Sequence, residues 1–281
     1  MKSYLIVGAL LLIIVALLAT NKKLVETVKN IFKIEELRKR LVYTCLLILV
    51  YRLGCYVVIP GIDPNLLGEG SALANQMDSN GLLGLLNVFS GGAFANAAIF
   101  ALGVMPYITA SIIIQLLGMM VPAVQKMMKE GESGRRKMNQ WTRLLTIGVL
   151  ALQGPAYVAN LYHQMPEAFV YGNAFIFTVY ATIILIAGTM FVVWLGEKIT
   201  DKGIGNGVSL IIMIGIVARL PHALLAELSA RINTSTGSLI MIIVELVLLF
   251  LVFMATIAVV QAVRKVPVQY AKRIVGNKQY G

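Results

Sequence analysis

With 281 residues, 58% of them hydrophobic and only 13% charged, and a mean hydropathy of +0.82, the chain is no soluble globular domain but a polytopic membrane protein. Its formal net charge of +11 would suit a nucleic-acid binder. Most of the lysines and arginines, however, fall in four connectors between apolar runs, which is the bias of cytoplasmic loops.

Tyr4 to Ala19 is an apolar run flanked by Lys2, Lys22 and Lys23. It is short for a span and resembles a signal-peptide core, but no small-x-small cleavage site follows. Residues 1–23 are therefore predicted to form an extra apolar helix, with a misassigned start as the alternative. In residues 24–40, Leu24, Val28, Ile31, Phe32, Ile34 and Leu37 recur near helical spacing among lysine, arginine and glutamate. This pattern predicts an amphipathic helix at headgroup level on the cytoplasmic side. Leu41 to Val58 is the first clear span, with Arg52 near its far end, close enough to Pro60 and Gly61 to reach the interface. Cys45 and Cys55 lie in this span without metal or disulfide spacing and read as small hydrophobes. The connector from Ile59 to Asn80 holds Asp63, Glu69 and Asp78 and no basic residue, so it is external.

Gly81 to Leu117 carries no charge and is too long for one simple span. Ser90-Gly91-Gly92 breaks it, and Gly103 with Pro106 weakens it again. The pattern predicts a half-helix from about Leu82 to Phe89, a glycine turn, and a span from about Ala98 to Met120. Two arrangements fit. The half-helix folds back into the membrane, where non-helical backbone survives only if buried in protein or lining a water-filled cavity. Alternatively, two ordinary packed segments are joined by a tight external turn.

Pro122 to Gln140 is basic and cytoplasmic, and Trp141 to about Leu161 crosses outward behind an interfacial tryptophan. Gly134-Arg135-Arg136-Lys137 reads as a solvated face or a contact with anionic lipids. After an external connector from Tyr162 to Gly172, Ala174 to Leu195 crosses back. Gly196 to Gly207 connects it to a short span, Val208 to Leu220, and Pro221 to Gly237 is external. The glycines of Gly203 to Gly207 lack the lysine and preceding strand of a phosphate loop and read as flexible backbone. Ser238 to about Val263 is the last span, followed by a basic cytoplasmic stretch.

Among the few ionisable groups in the spans are Arg52 near an end and Glu245, whose position suits an interfacial site. His163 and His222 fall in external connectors, and the zinc and nucleophile motifs of membrane proteases are missing from the sequence. No cofactor is implied. A passive conduit cooperating with a cytosolic partner fits better than an enzyme. The alternative is a secondary transporter with a broken helix, dependent on Glu245.

Four stretches resemble the SecY family, the central subunit of the bacterial protein-conducting channel. They are Phe89 to Leu117 (FSGGAF…IFALGVMPYITASIIIQLL), Glu130 to Lys137 (EGESGRRK), Gly188 to Ile212 (GTMFVVWLGEKITDKGIGNGVSLII) and Val263 to Arg273 (VRKVPVQYAKR). The resemblance covers about Leu24 to Gly281. It implies an all-α, SecY-like helical bundle in the bacterial cytoplasmic (inner) membrane, with a first five-span half over residues 41–220. Residues 221–281 would supply the sixth span and the start of the loop after it. It further implies a channel that passes unfolded secretory proteins across the membrane and membrane proteins into it.

The same resemblance makes the re-entrant reading the favoured one and residues 82–94 the plug, with Leu82, Leu83, Leu85, Leu86, Val88, Phe89, Ser90, Gly91 and Gly92 at its heart. It assigns a hydrophobic pore ring to Val104, Ile108, Val208 and Ile212, each pair four residues apart on one helix face. Thr109, Ser111 and Gln115 would lie on one wall of the lateral gate through which signal sequences leave. Arg264, Lys265, Lys272 and Arg273 would meet the ribosome and a SecA-like motor ATPase, and SecE-like and SecG-like small subunits would complete the assembly. Leu185 would face lipid. Because the resemblance implies two inverted five-span halves, the chain is expected to represent the amino-terminal part, lacking the second half of the ring and the opposite gate wall and so not conducting protein alone. The helix at Tyr4 to Ala19 has no counterpart in the family pattern.

Overall fold

A computed structural model describes residues 26, 30, 32–67, 81–170, 173–233, 238–263, 273–275 and 278–280. The expected helix at Tyr4 to Ala19, the acidic Glu69 and Asp78, and Arg264, Lys265 and Lys272 lie outside the described residues. The chain divides into two compact units, Lys2–Leu224 and Leu225–Gly281.

The first long helix, α1, runs from Glu35 to Gly54, after Ile34 in an extended conformation (φ −81°, ψ 112°). No boundary falls between residues 40 and 41: residues 35–40 of the basic stretch are the first part of the same helix, and most of residues 24–31 lie outside the described residues. Glu35 and Glu36 sit at its positive end and pair with Lys39 (2.8 Å) and Arg40 (2.9 Å) one turn on, which supports helix without any burial. Val42, Leu46, Leu49 and Leu53 form an exposed apolar stripe on α1, suited to lipid rather than water.

After α1 the chain runs through turns and pairs at single residues, Val58 with Ala98 and Ile62 with Phe169. Val57 O accepts from Ile99 N (2.9 Å), Ala97 O from Ile59 N (2.9 Å) and Ala168 O from Asp63 N (2.9 Å). A short helix, α2 (Gly81–Phe89), matches the expected half-helix. The span expected from Ala98 does not begin there: residues 90–104 are a chain of turns, and helix α3 covers Met105–Met120. Left-handed backbone at Ala97 (φ 44°) and Gly103 (φ 52°) interrupts any helix. Pro106 then sits in the first turn of α3, where its missing N–H is no loss.

The basic stretch expected as a connector is mostly helical. It comprises α4 (Pro122–Lys129), a break at Glu130 and Gly131 (φ 73°), and the start of α5 (Glu132–Gln164). Helix α6 (Ala174–Lys202) likewise continues beyond Leu195, leaving only Gly203 to Asn206 as connector. Arg143 of α5 grips both carboxylate oxygens of Glu197, tying this extension to its neighbour. Helix α7 (Gly207–Asn233) passes through Pro221 instead of stopping at Leu220. Helix-favouring Ala223, Leu224, Leu225 and Ala226 follow the proline, and apolar helices tolerate such an interruption.

In the second unit, α8 (Ser238–Gln261) is apolar around its circumference, with Val244, Leu248, Leu251, Ile257 and Val260 all exposed. Strands β1 (Arg273–Val275) and β2 (Lys278–Tyr280) form an antiparallel pair with Arg273 opposite Tyr280. Nothing in the basic stretch had suggested strands.

Among the described residues, α5, α6 and the Val244–Gln261 part of α8 are long and apolar enough to cross a membrane. Met105–Met120 and Gly207–Pro221 are shorter apolar helices. The all-α, multi-pass character read from the sequence holds. Several buried hydroxyls are satisfied within their own helices: Thr142 donates to Met138 O (2.9 Å), Thr146 to Thr142 O (2.7 Å) and Thr182 to Thr178 O (2.7 Å). That is the economy a membrane interior demands. The Thr189 hydroxyl, by contrast, is buried without a partner among the described residues.

The first unit has two apolar cores, and the non-helical segment contributes to both. Phe94, Ala95, Ala97 and Ala101 belong to a core with Tyr157, Val158, Leu161, Phe177 and Leu185. Ala93, Ala98, Phe100 and Val104 belong to a second with Leu47, Tyr51, Val192, Leu195 and Ile211.

Candidate functional site: a buried turn and an aliphatic cluster

Irregular backbone inside an apolar bundle must find hydrogen-bond partners, because each unmet group costs roughly 1–3 kcal/mol. The segment after α2 meets this demand largely from its own surroundings. Asn87, buried in α2, accepts Ala95 N on Oδ1 (3.0 Å), while its carbonyl accepts Gly92 N (2.9 Å) and Ser90 Oγ (3.1 Å). Ser90 Oγ also accepts Phe94 N (3.1 Å). From α1, Tyr51 Oη donates to Ser90 O (3.3 Å) and Arg52 Nη1 to Gly91 O (3.0 Å). From α5, Tyr157 Oη donates to Phe94 O (2.9 Å) while its ring meets the Phe94 ring edge-on at 4.7 Å.

Two glycines make the turn possible. Gly91 (φ 66°) and Gly92 (φ 92°) occupy conformations that L side chains rarely adopt. Each also has a guanidinium where a side chain would begin. A Cβ on Gly91 would lie 2.7 Å from Arg52 Nη1, and one on Gly92 would lie 2.9 Å from Arg219 Nη2. Further along, Phe100 stacks between Tyr51 (6.1 Å) and Phe191 (6.0 Å), so an aromatic row carries the segment from α1 to α6.

The aliphatic residues singled out by sequence lie at the exit of this segment. Val104 immediately precedes α3 and is buried in the second core; Ile108, one turn on, and Val208, at the start of α7, pack against the same core. Ile212 is half-buried and lies outside that cluster, where Ile211 is fully buried instead. Three of the four residues thus converge on one cluster.

Of the proposed plug residues, Leu83 and Leu86 pack on the first core, Leu85 is exposed, Val88 and Phe89 are half-buried, and Ser90, Gly91 and Gly92 are buried. Leu82 belongs to α2, and its side chain is outside the described residues. Thr109 is exposed, bonds Met105 O (3.1 Å) and lines a cavity of about 360 Å³ with Leu83, Leu86, Phe94, Gln153 and Asn160. Ser111 and Gln115 are joined to each other (3.2 Å) one turn apart on α3. Arg273 pairs in β1, with its side chain outside the described residues. Glu245 is exposed on α8.

Two expectations need correcting. Leu185 does not face lipid: it is fully buried beneath the turn segment, whereas Ile183, two residues earlier, is 62% exposed. Arg52 does not simply reach for the interface; the backbone at Gly91 takes its guanidinium. Sequence reading also missed Asn87, Tyr51, Tyr157 and Arg219. Asn87 carried a signal, a lone amide in an apolar helix just before a serine and two glycines. The others are ordinary residues until the fold brings them to the turn.

These features define a class: a multi-pass helical membrane protein with irregular backbone sealed inside its bundle. The comparisons make the class specific. The SecY family model matches residues 98–281. The chain is 43% identical over 261 residues to the protein translocase subunit SecY of Streptomyces scabiei, covering 89% of this chain and 58% of that protein. It is 40% identical over 258 residues to the same subunit of Thermotoga maritima, covering 91% and 59%, and 41% identical over 247 residues to that of Buchnera aphidicola, covering 87% and 68%. A solved structure described as Sec61 in the canine ribosome-channel complex from the endoplasmic reticulum is similar at 18% identity and a TM-score of 0.44, over 64% of this chain and 36% of that one. The chain belongs to the SecY family. It spans somewhat under three fifths of the length of the Streptomyces scabiei and Thermotoga maritima relatives.

Proposed function

We propose that this chain forms the amino-terminal part of a protein translocation channel in the bacterial cytoplasmic membrane. It passes unfolded secretory proteins across and membrane proteins into the lipid, and is a channel subunit rather than an enzyme. The observation that carries the proposal is the buried turn segment, residues 90–104, leading directly into the cluster of Val104, Ile108 and Val208. In this reading α2 and the turn are the plug, and the branched aliphatic residues form one side of a constriction. Such a constriction blocks ions by dewetting yet yields around a passing chain. Thr109, Ser111 and Gln115 form one wall of the gate to lipid, and the 360 Å³ cavity beside Thr109 supports a loosely packed seam there. Arg264, Lys265, Lys272 and Arg273 meet the ribosome and a SecA-like motor, SecE-like and SecG-like subunits flank the bundle, and Arg135, Arg136 and Lys137 meet anionic lipids.

The test uses the full-length protein in membranes. Cysteines at Ile108 and Val208 should crosslink to a stalled secretory precursor, and a cysteine at the exposed Ile183 should not. Equal crosslinking at all three removes the pore assignment.

A further inference from the structure

We propose that Arg52 and Arg219 are positioning residues that clasp the Ser90-Gly91-Gly92 turn from two sides, so that charge as well as apolar burial holds α2 in its seat. The proposal rests on reading α2 and the turn as the plug.

Arg52 approaches from α1, its Nη1 donating to Gly91 O at 3.0 Å, and Tyr56 supports the guanidinium from its ring, 5.7 Å away. Arg219 approaches from α7. A Cβ on Gly92 would meet its Nη2, Nε and Cζ at 2.9, 3.2 and 3.5 Å, so the guanidinium occupies the space beside the glycine. Among the described residues neither arginine has a carboxylate within ion-pair reach. Two cations therefore converge on adjacent residues, Arg52 meeting the Gly91 carbonyl and Tyr56 and Arg219 lying beside Gly92.

The backbone dipoles of the turn are well placed. The turn follows the C-terminal end of α2, where helix carbonyls concentrate partial negative charge. Hydrogen bonds from an ionised donor are roughly twice as strong as neutral ones, and a partly dry site strengthens them further. The two glycines serve the clasp as well as the turn, since any side chain would push both guanidinia away. A clasp of this kind releases without disturbing the helices that carry it.

The chain contains its own reporter. Cys55 Sγ lies 3.8 Å from Ser90 O and the residue is 1% exposed, so the turn covers it. In the full-length protein with Cys45→Ala and every other cysteine removed, the rate at which N-ethylmaleimide modifies Cys55 measures how often the turn lifts. The reagent is neutral, so loss of an arginine does not change its local concentration by charge. Arg52→Met and Arg219→Met, which keep the apolar stem, should each raise the rate about tenfold or more. Arg52→Lys should stay within about threefold of the parent. A thiol at Thr146, fully buried in α5, placed by Thr146→Cys in a Cys55→Ala background, should remain protected in every variant.

Unchanged Cys55 protection in both methionine variants overturns the clasp. So does a rise shared by the Thr146 thiol, which marks general loosening, or a rise in Arg52→Lys equal to that in Arg52→Met, which marks shape rather than charge. The assay needs no translocation. Its failure leaves the crosslinking test of the channel untouched, and failure of that test leaves the clasp measurable.

Discussion

Asn87 shows how much can depend on a single amide in an apolar helix. Its side chain satisfies Ala95 N and its carbonyl satisfies Gly92 N, so it sets the path of the chain after α2. Asn87→Ala leaves the buried Ala95 N–H unmet and should lower stability by about 1–3 kcal/mol, read as a lower midpoint in thermal denaturation of the detergent-solubilised protein. An unchanged midpoint would show that the turn finds its partners elsewhere. At this scale the sequence was legible where a residue type has one dominant use: Ser90-Gly91-Gly92 broke the helix as expected. It was illegible where the partner is backbone far along the chain. Arg52 meets a carbonyl 39 residues away, and Arg219, two residues before Pro221, looked like the end of a span. Ala97 illustrates the same limit. Its left-handed backbone (φ 44°) costs roughly 1–2 kcal/mol, and Ile59 N, bonded to its carbonyl, helps to hold it there.

Among the elements, α6 packs directly on the backbone of the turn segment at Gly188. A Cβ at Gly188 would overlap the Ile99 carbonyl oxygen, which is backbone and cannot step aside. Gly188→Ala should therefore separate α6 from the segment and destabilise the first unit by about 1–3 kcal/mol. The same denaturation measurement reads it, and a neutral result would mean that the two elements are not in contact. Element existence was easier to read than element ends. The apolar lengths of α2, α5, α6 and α8 were visible in hydropathy. The hydrophilic continuations of α5 through Glu132 to Gln140 and of α6 through Lys202 were not, because hydropathy reports the membrane and not the helix. Arg143 and Glu197, which tie the α6 continuation to α5, lie far apart in sequence and give no local signal. Pro221 misled in the same direction, toward too short a helix, since a proline inside an apolar helix can bend it without ending it.

For the whole molecule, the multi-pass, all-α character followed from composition and the spacing of apolar runs. The choice between a re-entrant half-helix and an external turn did not, because both give the same pattern of apolar residues and glycines. The structure adds that Ser90, Gly91, Gly92 and Phe94 are buried and that the segment supplies side chains to both cores, which supports the proposed re-entrant reading. In the proposed function this segment is a seal that a passing chain displaces. In the full-length channel with Cys55 as its only thiol, the most direct measurement is the rate of Cys55 labelling by N-ethylmaleimide, with and without a stalled secretory precursor. A rise of about tenfold or more when the precursor is engaged is the predicted result. Unchanged protection of Cys55, while the precursor still crosslinks to Ile108→Cys in a separate variant, would contradict it.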